Sequence, residues 1–301
     1  MLDEFVTPLD ITGIPDKPVS RIAPTPSGYL HVGNAVNFLI TWALVRGRGG
    51  SLHLRIDDMD GIRFRDDVLG DIFESLEWLG VDWDTGPSGP DEFHTHFSLQ
   101  KRRDFYRSEL DRLSQETGKL FACGCSRSAI KKTAPNGLYP GTCRHGNHAL
   151  TPYETAMRVQ VEAGAVVDVG GHRLNVAETF GDFVLWRKDD QPAYQFASLL
   201  EDECGQVNFI TRGEDLLPST AAQLYLADLF DAQGFRRCSF LHHGLILGEG
   251  GEKLSKSRGS YALKDMRDSG DTPDRVWKTA ARFLGLNPEA VTASRDLIQT
   301  A

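Results

Sequence analysis

The sequence has no long apolar run and no export signal. No stretch approaches the roughly 20 consecutive apolar residues that a membrane-spanning helix needs. The first thirteen residues, MLDEFVTPLDITG, carry acidic side chains where a secretory signal would carry a basic region followed by an apolar one. We therefore expect a cytoplasmic protein with no membrane partner.

The sequence has fewer basic than acidic residues. The chain has 33 Lys and Arg against 42 Asp and Glu, a net charge of -9. A general nucleic-acid-binding protein is normally basic, so we expect no DNA partner. RNA stays possible, because a basic face can lie on an acidic body. Local basic runs such as KRRDFYR, Lys101–Arg107, are most simply solvated surface.

Cysteine is also scarce. Five cysteines are an odd number in a chain without an export signal, which argues against a disulfide framework. Cys204 and Cys238 stand alone and resemble small buried apolar residues. Cys123, Cys125 and Cys143 fall close together, and thiolates at such spacing can hold a structural zinc ion. Buried cysteines without metal are the alternative.

Regular alternation of strand and helix patterns marks the first third of the chain. Strand-like segments at Val19–Ala23 and Ser51–Ile56 alternate with helical spacing at Gly33–Arg46 and Asp66–Leu79. The short connections between them predict an α/β fold, with a parallel sheet flanked by helices. At 301 residues the chain can hold one large domain with an insertion, or two domains.

The middle of the chain is rich in turns and interrupts this pattern. The α/β pattern then resumes with the strand VNFIT, a helix over Leu216–Phe230 and the strand CSFLHHGLIL. We therefore predict four segments: 1–118 as the first half of the α/β domain, 119–194 as an inserted subdomain, 195–262 as its second half, and 263–301 as a short helical tail.

The stretch RIAPTPSGYLHVGNA, Arg21–Ala35, is typical of a nucleotide site. A strand runs into a Pro/Gly-rich turn, and His31 and Asn34 follow at the start of a helix. An α/β sheet binds nucleotides at this place, beside the free N–H groups of a helix N-terminus. Gly28 and Gly33 would let the backbone approach phosphate, to which a neutral imidazole or amide can donate. A tight turn with incidental polar residues is the alternative.

A second stretch, LGEGGEKLSKSRGSYA, carries Lys253 and Lys256 between glycines. Alone, it is most simply a solvated turn. Combined with the first stretch, it predicts a loop that closes over phosphate, because lysine acts as a point charge on phosphate and glycines permit closure.

Together the two stretches resemble the H-I-G-H and K-M-S-K-S motifs of the class I aminoacyl-tRNA synthetases, with Asn34 in place of the last histidine. The resemblance implies a Rossmann-like catalytic domain that binds ATP with Mg²⁺. It implies catalysis by positioning and placed positive charge, which stabilise the pentacoordinate α-phosphate. The implied catalytic residues are His31, Asn34, Lys253 and Lys256, and the implied ATP-binding residues are Gly28, His31, Gly33, Asn34, Lys253, Ser255 and Lys256.

Four motifs in order resemble the glutamyl group of that family: RIAPTPSGYLHVGN, LRIDDMD, AYQFA and TRGEDLLPST. The resemblance implies glutamate as the amino acid, since two carboxylates suit two bidentate guanidinium groups and an ammonium needs an anion. A surface salt bridge with Glu214 is the alternative for Arg212. The implied glutamate-binding residues are Arg21, Ala23, Pro24, Thr25, Asp57, Tyr194 and Arg212.

The chain departs from the group at one position. The usual run is R-I-E-D, whereas this chain reads Arg55-Ile56-Asp57-Asp58. Aspartate is one methylene shorter, so its carboxylate would lie roughly 1.5 Å further back. The preferred amino acid is therefore open, although the reaction class is not.

Fewer than fifty residues follow Ser257, too few for the helical anticodon-binding region of a glutamyl-tRNA synthetase. This resembles the truncated glutamyl-queuosine tRNA(Asp) synthetases, which attach glutamate to queuosine in the anticodon loop. The resemblance implies queuosine-bearing tRNA(Asp) as partner and no anticodon-binding domain, and we expect a monomer. It also implies one zinc ion on Cys123, Cys125, Cys143 and Tyr139, with His145 as an alternative fourth ligand.

Three rival hypotheses remain at this point. A truncated paralogue could activate glutamate or a related amino acid for another acceptor. A non-catalytic RNA-binding derivative would not need the lysine loop. A small-molecule nucleotidyltransferase of similar fold would not need the glutamate motifs.

The lysine loop yields a first test. Lys256→Ala should reduce adenylate formation by several kcal/mol of transition-state stabilisation, as loss of a charge-stabilising group does. Pyrophosphate exchange measures the effect, and thermal unfolding should be nearly unchanged. Strong unfolding of the variant would support a structural role for the loop instead.

Overall fold

The computed structural model describes residues 7–134, 136–246 and 262–299. Its strands are β1 Val19–Ile22, β2 Ser51–Leu54, β3 Leu120–Cys123, β4 Ala156–Val159, β5 Val166–Val169, β6 His172–Asn175, β7 Phe183–Trp186, β8 Phe209–Gly213 and β9 Ser239–His243. Its α-helices are α1 Val32–Gly47, α2 Asp66–Leu79, α3 Pro90–Glu92, α4 Arg103–Thr117, α5 Arg127–Thr133, α6 Val176–Thr179, α7 Tyr194–Cys204, α8 Leu217–Phe230, α9 Gln233–Arg236, α10 Leu263–Asp268 and α11 Asp274–Phe283. No helix in these ranges is long and apolar enough to span a bilayer.

The chain divides into two compact units. The first contains Met1–Leu99, Val207–Asp215 and Cys238–Ala301, and the second contains Gln100–Gln206 and Leu216–Arg237. The predicted insertion at 119–194 falls wholly in the second unit. The bounds of the four segments stay predictions.

Parallel strand pairs form the sheet of the first unit, as the α/β pattern predicts. β1 pairs in parallel with β2, with Ile22 opposite Leu54, and β8 pairs in parallel with β9. Asn208, just before β8, joins the two pairs: its N–H donates to the Val19 carbonyl at 3.0 Å, and its Oδ1 accepts from the Val19 N–H at 2.7 Å. β8 and β1 therefore begin side by side.

Helix α1 is the central element of the first unit's core. Most of its residues are buried, including Leu39 and Ile40, because it lies against β1, β2 and β8 and also against α11. A helix that is apolar nearly all round requires such burial on several sides. Its position is therefore set by packing along most of its length.

Side chains close the first turn of α1. His31 is the N-cap residue, and its Nδ1 accepts from the Gly33 N–H at 3.1 Å. In return, Asn34 Oδ1 accepts from the His31 N–H at 3.2 Å, which completes a capping box. A Cβ atom on Gly33 would lie 3.0 Å from His31 Cε1, so the imidazole lies directly against this glycine.

The second unit is built on an antiparallel sheet. β3 pairs with β4, and β4 pairs with β7. β5 and β6 form a separate hairpin across Gly170 and Gly171, which both have positive φ, as a tight two-residue turn requires. The strand-like stretch MRVQVEAGAVVDV is thus split between β4 and β5, because Gly164 at φ +80° turns the chain between them.

The Gly33 contact predicts a difference between two glycine substitutions. Gly33→Ala should lower the free energy of unfolding by about 1 kcal/mol, since the new methyl group displaces the His31 cap. Gly70→Ala in α2 is the matched control, because its Cβ would meet nothing within 4 Å. It should raise that free energy by up to about 1 kcal/mol through helix propensity. Urea unfolding followed by circular dichroism distinguishes the two, and equal stabilisation by both would contradict this geometry.

Candidate active site

The carboxyl ends of the parallel strands meet beside the N-terminus of α1. β1 runs directly into the turn that leads to His31, with β2 on one side of it and β8 on the other. The chain therefore leaves β1 in one direction and returns on its opposite side. Such a switch point opens a crevice outside the strand ends, where α/β sheets bind ligands.

Two arginines are buried on the neighbouring strands β1 and β8. Arg21 is 7% exposed and Arg212 is 3% exposed, whereas arginine is almost never fully buried unless paired. The Arg212 guanidinium carbon lies 5.9 Å from the centre of the Phe240 ring. The burial of Arg212 does not suit the alternative of a surface salt bridge.

Asp57 follows β2 and is also buried. Its N–H donates to the Pro24 carbonyl at 2.9 Å, which ties it to the turn after β1. Its carboxylate accepts from Arg55 Nε at 2.7 Å. The sequence prediction did not include Arg55, although residues two apart on an extended strand share a face. The acid expected to face an ammonium group is therefore already held by a guanidinium group.

Asp58 is a second buried acid that sequence reasoning left without a role. It accepts from Ser98 Oγ at 2.5 Å and from the Leu99 N–H at 2.8 Å. Burial raises the pKa of this carboxyl group above its usual value, although both hydrogen bonds act in the opposite direction. The adjacent acids thus differ in role: Asp57 pairs with a cation, and Asp58 anchors a distant segment.

His243, at the end of β9, was likewise not predicted. Burial lowers the pKa of this imidazole, so the ring is neutral near pH 7. Its Nδ1 lies 2.8 Å from the Gly244 carbonyl, which can only accept, so the ring proton belongs on Nδ1. Nε2 lies 3.1 Å from the end of the Asn37 side-chain amide, which then donates to it through its NH₂ group. This pair ties the end of β9 to α1.

The predicted phosphate-binding lysines, Lys253 and Lys256, lie outside the described residues together with Ser255. The residue that follows that segment, Ala262, forms an isolated antiparallel bridge with His31. The next N–H, of Leu263, donates to the Leu30 carbonyl at 2.8 Å. The first described residue after the segment therefore lies beside the capped start of α1.

The remaining predicted residues fall in two places. Ala23, Pro24, Thr25 and Gly28 form the turn after β1, where the Thr25 carbonyl accepts from the Ser27 N–H at 2.9 Å. Tyr194 begins α7 in the second unit and is 38% exposed. The structure thus places Arg21, Asp57, Arg212, His31 and Asn34 in the first unit and Tyr194 in the second.

Three cysteines in the second unit lie together. The sulfur atoms of Cys123, Cys125 and Cys143 all lie within 4.8 Å of one another, with Cys125 and Cys143 3.6 Å apart. Tyr139 Oη lies 3.3 Å from Cys123 Sγ and 3.9 Å from Cys125 Sγ. A tetrahedral zinc ion with about 2.3 Å bonds to sulfur and about 2.0 Å to oxygen needs edges of about 3.5–3.8 Å. Separations of 3.3, 3.6 and 3.9 Å lie close to these edges, so the donor set suits such an ion.

The surroundings distinguish the two candidates for the fourth ligand. Tyr139 is buried and also accepts from the Cys143 N–H at 2.8 Å, whereas His145 is exposed and is not part of the cluster among the described residues. Burial disfavours a thiolate at Cys143, but hydrogen bonds from Tyr139 and its neighbours lower the pKa of this thiol to about 7. A thiol of that pKa is readily deprotonated to the form that binds metal.

Other side chains brace this cluster. Arg144, next to Cys143, forms a bidentate pair with Asp182, at 2.6 and 2.8 Å. The Arg158 guanidinium carbon lies 4.2 Å from the centre of the Tyr139 ring. The phenol is thus held in place by a cation over its face.

Curated relatives support a common ancestry for the whole described fold. The chain is 37% identical over 296 residues to the Glutamyl-Q tRNA(Asp) synthetase of Symbiobacterium thermophilum, covering 90% of this chain and 88% of that protein. It is 35% identical over 299 residues to Glutamate--tRNA ligase 2 of Syntrophus aciditrophicus, covering 93% of this chain. It spans only 59% of the length of that ligase.

A solved structure has the same fold. A glutamate tRNA ligase from Elizabethkingia meningosepticum, in complex with its amino acid, aligns with a TM-score of 0.73 at 23% identity. The alignment covers 94% of this chain and 64% of that one. The family described as tRNA synthetases class I (E and Q), catalytic domain, matches residues 18–300. The predicted resemblance is therefore confirmed, and the chain belongs to the class I tRNA synthetases for glutamate and glutamine.

Proposed function

We propose that this chain activates glutamate with ATP and transfers the glutamyl group to queuosine in the anticodon loop of tRNA(Asp). The observation that carries the activation step is the pair of buried arginines on β1 and β8, beside the capped N-terminus of α1. Two buried guanidinium groups at one edge of the sheet suit a small dianionic ligand, since carboxylates bind guanidinium groups in bidentate geometry. The queuosine acceptor rests on similarity to the Symbiobacterium protein of that name.

In the first step, a carboxylate oxygen of glutamate attacks the α-phosphorus of ATP. A bond forms between this oxygen and the α-phosphorus. The bond between the α-phosphorus and the oxygen that bridges it to the β-phosphorus breaks. Pyrophosphate leaves with that electron pair, and Mg²⁺ accompanies the polyphosphate. No side chain needs to become a covalent nucleophile, so catalysis consists of positioning and electrostatic stabilisation.

Residues of the first unit would bind the glutamate substrate. Arg21 and Arg212 would hold the two carboxylates of glutamate. Asp57 would bind the ammonium group of glutamate, while Arg55 holds the Asp57 carboxylate in place. The sequence motif AYQFA also implies Tyr194 as a glutamate-binding residue. A shorter acid at Asp57 leaves room for a water between carboxylate and ammonium.

The first turn of α1 would receive the phosphates. Since His31 Nδ1 accepts from a backbone N–H, a neutral ring carries its proton on Nε2, where it can donate to a phosphate oxygen. Asn34 uses Oδ1 in the cap, so its Nδ2 is the donor for a ligand. Lys253 and Lys256 would supply positive charge to the leaving pyrophosphate, as their sequence motif predicts.

In the second step, a ring hydroxyl of queuosine attacks the carbonyl carbon of the adenylate. An ester bond forms, the mixed anhydride bond breaks, and AMP leaves with its electron pair. The hydroxyl proton passes to the phosphate oxygen of AMP or to solvent. The alternative is a different acceptor for glutamate or a related amino acid, since Asp57 stands where the family usually has a glutamate residue.

The Cys123, Cys125, Cys143 and Tyr139 cluster would hold one structural zinc ion. A closed four-ligand site supplies folding energy and no open coordination position for chemistry. The ion would join the end of β3, at Cys123 and Cys125, to the turn that carries Tyr139 and Cys143. His145 would then stay in solvent.

Pyrophosphate exchange and transfer assays test the proposed function. Among all amino acids, glutamate should support exchange, and labelled glutamate should pass to tRNA(Asp) that contains queuosine and not to the unmodified tRNA. Arg212→Gln should abolish the exchange, because a carboxylate of the bound glutamate would lose its guanidinium partner. Arg63→Gln is the matched control, since its side chain is 71% exposed in the same unit.

Two results would contradict the proposal in different ways. The absence of exchange with glutamate would refute the activation step. Exchange without transfer to queuosine-containing tRNA(Asp) would leave activation intact and favour another acceptor.

Metal analysis tests the cluster. The purified chain should contain one equivalent of zinc, and Cys143→Ser and Tyr139→Phe should each lower it, while the exposed Cys204→Ser should not. Removing the ion with a chelator should lower the melting temperature, because metal binding contributes folding free energy. Full zinc content in Tyr139→Phe together with its loss in His145→Ala would assign the fourth ligand to His145.

A further inference from the structure

Tyr153, in the second unit, is a strongly exposed aromatic residue with a strained backbone. Tyr153 is 79% exposed, and its φ of +66° lies in the left-handed region. Glycine and asparagine adopt that region readily, whereas a bulky aromatic residue there is an outlier. Neither burial nor backbone preference explains a tyrosine at this position.

The turn around Tyr153 is rigidly built. Thr155 Oγ1 donates to the Ala149 carbonyl at 2.9 Å and accepts from the Thr151 N–H at 2.7 Å. The N–H of Tyr153 itself donates to the Lys188 carbonyl at 2.6 Å. Bonds on both sides of the tyrosine therefore hold its backbone in the strained conformation, with the ring exposed to solvent.

Hydrogen bonds connect this turn to the cysteine cluster and to a basic helix. Lys188 Nζ donates to the carbonyl of Gly124 at 2.8 Å, between Cys123 and Cys125. Two residues later Ser126 caps α5, whose cations are exposed on a helix that has no acid. These cations are Arg127, Lys131 and Lys132.

Charge is strongly segregated along this part of the chain. Residues 120–153 contain no aspartate or glutamate but four lysines and arginines, in a chain whose net charge is -9. The acids that follow Lys188 are each paired: Asp189 accepts from Arg187 Nε at 3.0 Å, and Asp190 pairs with Arg103. The exposed Glu154 directly follows this stretch, and Arg144 within it is paired with Asp182, so the excess positive charge is that of Arg127, Lys131 and Lys132.

We propose that Tyr153 is a stacking platform for an unpaired base of the RNA substrate, and that Arg127, Lys131 and Lys132 contact the phosphates around it. Exposed aromatic rings beside cations are how proteins bind single-stranded loops of RNA. Strain of this kind persists where function requires it. The inference rests on the proposed function, because it needs a tRNA as substrate. A protein partner would not require this excess of positive charge.

Matched glycine substitutions test the role of the ring. Tyr153→Gly removes the ring and relieves the strain, and Asn147→Gly makes the same backbone change at φ +45° in the same unit without loss of a ring. Fluorescence anisotropy measures binding of a labelled stem-loop RNA with the anticodon-loop sequence of tRNA(Asp), with and without queuosine. Tyr153→Gly should bind roughly 5- to 150-fold more weakly, the loss expected for one stacked base.

The same variants separate binding from folding. The melting temperature of Tyr153→Gly should equal or exceed that of the wild type, since the strain relieved offsets the entropy gained by the unfolded chain. Asn147→Gly and Tyr153→Trp should keep the wild-type affinity. Lys131→Ala with Lys132→Ala should weaken binding and reduce its dependence on salt concentration.

Unchanged RNA affinity in Tyr153→Gly would overturn the proposal, and so would a marked fall in its melting temperature, which a structural role predicts. Pyrophosphate exchange without RNA is run on every variant and should be unchanged by Tyr153→Gly. Absence of that exchange in the wild type would refute the proposed activation. The difference in RNA affinity between the wild type and Tyr153→Gly would still test the role of the ring.

Discussion

Burial of charge is the constraint on which the first unit depends. Arg21 and Arg212 lie within strands of the sheet, and Asp57 and Asp58 follow another strand directly, all four being buried. Buried ions must be paired or hydrogen-bonded to be stable. Arg55 and the Ser98–Leu99 turn meet this requirement for the two acids. The carboxyl edge of the sheet is thereby a set of fixed charges rather than an apolar core.

Helix α1 connects this charged edge to the rest of the unit. Packing on several sides sets its axis, and the reciprocal bonds of His31 and Asn34 set where it begins. His243 reaches the same helix one turn later through Asn37, from the end of β9. Loop ends far apart in sequence are therefore held against one helix, which is how a parallel sheet gathers a site from separate strands.

The second unit meets a related requirement with different chemistry. Its strands bury apolar side chains such as Val159, Leu185 and Trp186, and the sulfur cluster with Tyr139 forms a separate small cluster against which Phe121 and Ile130 pack. Arg144 and Arg158 brace the cluster from outside. The same turns carry an excess of positive charge and an exposed aromatic ring. Compactness here comes from an apolar core together with the sulfur-containing cluster.

By itself the sequence determined the α/β alternation, the helix that starts at the HVGN turn, the close spacing of three cysteines and the family. These features depend on neighbours a few residues apart or on short motifs, and local physics specifies them. The pairing of Arg55 with Asp57 could also have been read from two-residue spacing. Only the tertiary structure decided that Asp58 anchors Ser98 and Leu99, that His243 reaches Asn37, and that Tyr139 rather than His145 lies against the sulfurs. The first two join segments whose distance in sequence carries no signal, because burial and chain packing decide which polar groups meet, whereas the family resemblance had already named Tyr139 ahead of His145.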